Sequence, residues 1–257
     1  MAVSTAIITR LEKAAVDNGF DQQNPAAGDW LSFASTQAPL RIWLMNPDEG
    51  AFAAAFSQQN VARALSDLGS VYITALPPDA RAARSVADIP ALHHLMRRAF
   101  QLSRTLPDEL LHTFDKATAI LPHKTEAERL VIQRVGQDIF RAGLIDYWEG
   151  RCAITDLTRT ELLRASHIKP WAACETDAER LDVFNGFLLA PHLDALFDAG
   201  YITVDENRVV LVSPALSEDD RRILNLRELP PLRGLAEEHR PYLEWHRVNL
   251  FRKEVRV

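Results

Sequence analysis

The sequence predicts an α+β protein in two parts. Three observations carry that expectation. Short strand-like apolar runs lie among helical patterns in the first 120 residues. A capping-box pattern, Thr125-Glu126-Ala127-Glu128, then opens a long helical stretch just after "LPHKT", a pairing in which N-cap and third residue satisfy each other's backbone donors. Beyond it the chain reads strand, loop, strand, short helix, with a hairpin and a last helix behind. The expected parts are residues 1–120, a small α+β unit, and 121–257, with its core at about 150–213.

Each element rests on its own pattern. Ile7, Ile8, Leu11, Ala14 and Ala15 have helical spacing, and "DNGF" supplies a glycine stop. "DQQNPAAGDW" reads as a loose Pro/Gly/Asp stretch. "RIWLMN" and "VYITAL" read as strands, "AFAAAFS" is ambiguous because of its alanines, and "NVARALSDLG" reads as a short helix. "LPPDARAAR" separates these from two helical patterns, about Ile89–Arg104 and Pro107–Ile120. Pro107 would sit in a first turn, where its missing N–H costs nothing. Glu126 to Trp148 is the long helix, with Leu130, Val131, Ile132, Val135, Ile139, Phe140 and Leu144 as its apolar face. "RCAITDL", "LLRASHI" and "NGFLLAP" read as strands, "HLDALFDAG" as a short helix, "YITVDENRVVLV" as a hairpin, and "LAEEHRPYLEWHRVNLFRKEV" as helical.

Composition bounds the function classes. The chain is 47% apolar and 25% charged over 257 residues, enough to bury about 70–75% of its unfolded surface without a metal or disulfide staple. The two cysteines, Cys152 and Cys174, exclude a disulfide framework and a four-cysteine zinc site. No apolar run approaches the length of a membrane span, and the N-terminus lacks a basic secretory region. A cytoplasmic location is the expectation. The net charge is −6, divided as −2 over residues 1–120 and −4 over 121–257. That balance disfavours a passive nucleic-acid coat, whose affinity comes from counterion release, yet allows a local basic groove.

The chemistry gathers around "LLRASHIKPW". His167 ends one strand-like run. Asn185-Gly186 begins the next, and His192 and Asp194 open the short helix. Folded as strand, loop, strand, helix, these groups can converge on one side of a small ββα unit. Read singly they are bland: a lone histidine in an apolar run is usually a core residue, and Asn-Gly is a common turn.

In order and spacing, "CAIT…ELLRASHIKPW…ERLD…NGFLLAPHLDALFDAGYITV" resembles the HNH endonuclease family, with "VGQDIFRAGLIDYWEGRCAIT" and "YLEWHRVNLF" as flanking likenesses. The likeness covers about residues 126–257. It implies a ββα-metal nuclease domain with flanking helices that hydrolyses phosphodiesters with one divalent metal and leaves 5′-phosphate ends. His167 would be the general base, since imidazole titrates near neutrality. Asn185 would orient the loop and the base, or lend an oxygen to the metal. His192, Asp194 or both would bind the metal, with Asp198 next in line. Mg or Mn is the expected ion; an imidazole ligand would admit Zn, Ni or Co. Ser166 stands where many family members carry an Asp or His ligand, and Thr155 stands where a zinc clip would need a cysteine. No structural zinc is therefore expected. Arg151, Arg164, Lys169 and Arg180 are the candidates for phosphate contact.

The expectation is a DNA endonuclease in restriction-like defence, acting on double-stranded DNA. Residues 1–120 would be its recognition part, a homodimer is left open, and no membrane partner is expected. Two rivals remain: a catalytically degenerate HNH fold that binds DNA without cutting it, and a nuclease acting on RNA or structured nucleic acid.

Overall fold

A computed structural model describes residues 4–48, 50–106, 108–121 and 125–253. It is a mixed α and β structure dividing into two compact units, Met1–Leu106 and Pro107–Val257. The division therefore falls earlier than the expected 120/121. The physical reason is helix α4 (Asp108–Thr118), which packs on α5 (Glu126–Tyr147) in the second unit. Leu110 lies so close to Gly143 of α5 that a Cβ there would meet it at 2.5 Å. Of the "LPHKT" stretch, Pro122, His123 and Lys124 lie outside the described residues, as does Pro107.

The first unit is built on an antiparallel sheet of order β1-β2-β3-β4-β6-β5. Its strands are β1 (Gln22–Ala27), β2 (Trp30–Ala34), β3 (Ile42–Asp48), β4 (Ala51–Phe56), β5 (Ser70–Val71) and β6 (Ala82–Val86). Helices α1 (Thr5–Val16), α2 (Gln59–Ala64) and α3 (Ile89–Thr105) pack against it. Strand alternation sorts the side chains. Phe33, Ile42, Leu44 and Phe56 are buried on one face, as are Leu92, Leu95 and Met96 of α3. Trp43, Ala55 and Ala83 line up on the other face, where Trp30 and Ala53 join them. Tyr72 and Ala80 pack over that second face, and the Tyr72 and Trp30 rings meet edge-on at 5.9 Å.

Here the sequence expectations need correction in two places, and one open reading is settled. "DQQNPAAGDW" is not loose: it forms β1 and enters β2. "VYITAL" is a strand only at its first residue, within β5, and Ile73 is 90% exposed. The run turns off the sheet to cover its face, and the next strand is drawn from "RAARSV" instead. The ambiguous "AFAAAFS" is β4, an interior strand whose small residues let the neighbouring layers approach.

The second unit is organised by α5. Its start is the expected capping box: Thr125 Oγ1 accepts from the Glu128 N–H at 3.2 Å, and Glu128 Oε2 accepts from the Thr125 N–H at 2.7 Å. Against α5 lies a two-stranded hairpin, β7 (Arg164–His167) and β8 (Gly186–Leu189), followed by α7 (Pro191–Asp198). Pro191 occupies the first turn of α7, as helix geometry favours. The segment between the strands, residues 168–185, contains α6 (Asp177–Leu181). Strands β9 (Ile202–Val204) and β10 (Val210–Val212) make the expected hairpin, then come α8 (Glu218–Ile223) and α9 (Arg240–Asn249). "RCAITDL" forms no strand. It is a set of turns in which buried Cys152 Sγ accepts from the Thr155 N–H at 3.4 Å and the Ala190 N–H at 3.3 Å. The thiol thus ties this knuckle to the residue that leads into α7.

Candidate functional site

The register of the hairpin sets the site. Arg164 pairs with Leu189, Ser166 with Phe187, and His167 with Gly186. Successive side chains on a strand leave opposite faces, so Ser166 and His167 enter different environments.

His167 turns to α5. Its ring stacks on Phe140 with centroids 3.8 Å apart, and Trp171 meets it edge-on at 5.7 Å. The close approach needs Gly186 opposite: a Cβ there would lie 2.5 Å from Phe140. His167 Nε2 is 2.9 Å from the Arg180 carbonyl oxygen. A carbonyl only accepts, so Nε2 carries the proton and Nδ1 keeps its lone pair. Burial pushes the imidazole down to about 4, against a smaller upward effect of the Arg180 carbonyl. The ring is therefore neutral at pH 7.

Asn185 is fully buried. Its Oδ1 accepts from the Lys169 N–H at 2.7 Å. Its Nδ2 faces the Lys169 carbonyl at 3.1 Å, the Glu179 carbonyl at 3.1 Å and Cys174 Sγ at 3.3 Å. The amide is committed to the loop between β7 and β8. It pins both ends of the segment whose Arg180 carbonyl holds His167.

Ser166, 2% exposed, turns to α7. Its Oγ donates to Asp198 Oδ1 at 3.4 Å. Asp194 and Asp198 stand one helical turn apart, so they share a face of α7. Desolvation raises the Asp194 carboxyl, while Ser166 and the charge of Arg164 hold it down. Asp198 is open to solvent, yet its carboxyl is pushed up to about 6, first by desolvation and then by repulsion from Asp194. Two carboxylates and a hydroxyl thus face one another with negative charge in excess. Asp198 was only a reserve candidate by sequence; its i, i+4 relation to Asp194 on a predicted helix was the signal that could have promoted it.

His192 is exposed on α7, two residues before Asp194, a spacing that does not share a helix face. The basic candidates divide. Lys169 Nζ pairs with Glu179 at 2.9 Å, and Arg180 is bound within its own loop. Arg151 is exposed and 3.6 Å from Asp156, which Arg233 also pairs with. Arg164 is exposed on β7, two residues before Ser166, and its charge acts on Asp194. Of the four, Arg164 is the one whose charge acts on Asp194.

A flanking support was missed in the sequence. The buried His246 on α9 bonds the Phe197 carbonyl through Nε2 at 3.1 Å and Thr203 Oγ1 through Nδ1 at 3.0 Å, and its ring stacks on Phe197 at 4.0 Å. It braces the C-terminal end of α7 next to Asp198. The "YLEWHRVNLF" resemblance marked the segment without showing this role.

No helix among the described residues is long and apolar enough to cross a membrane. A comparison with curated proteins finds no match. Residues 152–205 match the family model described as HNH endonuclease. That span runs from the Cys152 knuckle through both hairpin strands and α7 into the β9 hairpin, and over it the second unit is similar to the HNH endonuclease family.

Proposed function

We propose that the second unit is a metal-dependent endonuclease that hydrolyses DNA phosphodiesters, with His167 as general base. The observation that carries this reading is the bond from His167 Nε2 to the Arg180 carbonyl. It fixes the tautomer that leaves Nδ1 able to take a proton from an attacking water, and burial keeps the ring neutral at pH 7. Asn185 supports the base by holding the loop.

The residues on the α7 face fit a hard divalent cation. Asp194 and Asp198 offer charged oxygens whose mutual repulsion a cation would relieve, and Ser166 adds a hydroxyl. Such a donor set favours Mg or Mn, and His192 would be needed to shift preference toward Zn, Ni or Co. When bound, the ion supplies charge stabilisation for the scissile phosphate and the leaving oxygen. Arg164 would hold a neighbouring phosphate. The substrate would lie along β7, where the Ser166–His167 step presents both faces of the hairpin at once.

In this reading the first unit is a recognition module, the substrate is double-stranded DNA, and the setting is restriction-like defence in the cytoplasm. A homodimer fits that setting. One observation favours a second reading, a degenerate fold that binds DNA without cutting: among the described residues no group of three or more His, Cys, Asp or Glu could hold a metal. Plasmid nicking with Mg²⁺ or Mn²⁺, with an EDTA control and an RNA substrate in parallel, decides between them. Metal-dependent nicking of DNA supports the nuclease. DNA binding without nicking supports the degenerate module, and cleavage of RNA alone moves the substrate.

A further inference from the structure

The side chain of Arg180 forms bonds that a surface phosphate contact would not need. Its Nη2 donates to the Cys174 carbonyl at 2.6 Å, and its Nε donates to the Trp171 carbonyl at 3.3 Å. Its Nη1 pairs with Asp177 Oδ1 at 2.8 Å, and the guanidinium carbon sits 5.8 Å from the centre of the Trp171 ring. One planar fork thus gathers three separate points of the loop at residues 171, 174 and 177. The same residue's own carbonyl accepts the His167 proton at 2.9 Å. Trp171, which the fork holds by its carbonyl, also meets the His167 ring edge-on.

We propose that Arg180 is a positioning residue for His167. Its guanidinium fixes the loop, and so fixes the carbonyl that keeps the His167 proton on Nε2 and the lone pair on Nδ1. This rests on His167 being the base, as argued above; the structural half of the inference stands without it. The physical argument is one of geometry. A carbonyl sets a tautomer only if it is held at bonding distance and in line with the ring. The carbonyl of residue 180 belongs to α6, a helix of only 5 residues, too short to be rigid by itself. Lysine could not replace the fork, since an ammonium on a flexible stem cannot span three acceptors in a fixed plane. Asn185 anchors the loop from β8, at Lys169 and Glu179. Arg180 anchors the intervening part that Asn185 reaches only at Cys174.

The test reads the tautomer directly. The whole chain, with its 8 histidines labelled with nitrogen-15, is observed by ring-nitrogen NMR at pH 7.5, and His167 is assigned from His167→Ala. Wild type is expected to show protonated Nε2 and bare Nδ1. In Arg180→Gln the proton should redistribute between the two nitrogens, and Arg180→Lys should lie between. Cleavage by Arg180→Gln should fall in kcat by about tenfold or more, within the roughly 10²–10⁴-fold a general base contributes. KM for DNA should stay within about twofold, because no substrate contact is removed. A folded Arg180→Gln that keeps the Nε2 proton overturns the proposal, as does a rise in KM with kcat unchanged. If Arg180→Gln does not fold, Arg180→Lys decides by the same readout. A wild-type proton on Nδ1 overturns it whatever the variants do. A tautomer that shifts in a protein that never cleaves would reject the nuclease reading and keep the positioning role.

Discussion

The two faces of the β7–β8 hairpin differ in how they treat charge, although they are reached from adjacent residues. On the α5 face, His167 is stacked, hydrogen-bonded and held neutral, with its pKa pushed down to about 4. On the α7 face, Ser166 looks onto two carboxylates, one of them pushed up to about 6 by desolvation and by its neighbour. One face removes the cost of a charge by excluding it. The other gathers like charges and leaves them short of a counter-ion. Strand alternation alone separates the two environments, so a strand of 4 residues can carry the proposed base on one side and the proposed cation site on the other. Each face can be broken without touching its opposite.

The largest effect is expected from the α5 face. His167→Ala should lower cleavage by about 10²–10⁴-fold while metal binding by the free protein stays as in wild type. The paired measurements are plasmid nicking and calorimetric titration with Mn²⁺. Loss of metal binding in this variant would show that the faces are not independent. Next comes the α7 face. Changes behind a metal ligand already cost roughly 10–100-fold in affinity, so Asp194→Asn and Asp198→Asn should each reach the upper end of that range. The His167 ring signals should not move in either variant. If both variants bind Mn²⁺ as wild type does, the cation site lies elsewhere. A smaller effect is expected from Arg164→Gln: weaker DNA binding at low salt, with the slope of log affinity against log salt reduced by about one. Arg180→Gln should leave that slope alone, since its guanidinium is bound within the loop.

This difference between the two arginines marks how far the sequence could be read. Arg164 and Arg180 look alike as basic residues near the motif, and only the fold shows one exposed beside Asp194 and the other fixed in a loop. The site's order, by contrast, was legible. The strand, loop, strand, helix succession around His167 and Asn185 follows from patterns that lie next to one another along the chain, while the roles expected of those residues came from the family resemblance. Which face each residue takes was not legible for Asp198, because a carboxylate at a helix end usually makes local bonds. In the first unit the failures have one cause. "QQNPAA" is an edge strand with a proline and an exposed pattern, so it lacks the apolar alternation that marks strands. "VYITAL" has the β-branched and aromatic residues that favour strands, but it crosses the sheet's second face, where Tyr72 packs and Ile73 stays exposed. Both outcomes are decided by tertiary position rather than by local preference.

The smallest expected effect sharpens the comparison most, because it touches the α7 face through a single hydrogen. Ser166→Ala removes the hydroxyl that bonds Asp198 at 3.4 Å and also holds Asp194 down. A hydrogen bond to a charged group is worth roughly 1.5–3 kcal/mol when shielded from water, and Asp198 is open to solvent, so the fold should lose little. The carboxyls respond with a definite sign. Desolvation and mutual repulsion already raise them, and the hydroxyl is the interaction that opposes the rise at Asp198. Without it the Asp198 pKa moves above about 6. A cation must displace that proton, so metal binding, which in wild type should strengthen as pH rises through about 6, should need a higher pH in the variant. At pH 8 the two proteins should bind Mn²⁺ nearly alike, and at pH 6 the variant should bind several-fold more weakly. The His167 tautomer at pH 7.5 should be identical in both, since the imidazole's proton is held from the Arg180 side. The measurement is Mn²⁺ titration across pH 5.5–8.5 with His167 ring NMR in parallel. A weaker variant at every pH, by a constant factor, would make Ser166 a direct ligand rather than a tuner of the carboxylates. A change in the His167 signals would show that the two faces communicate through β7.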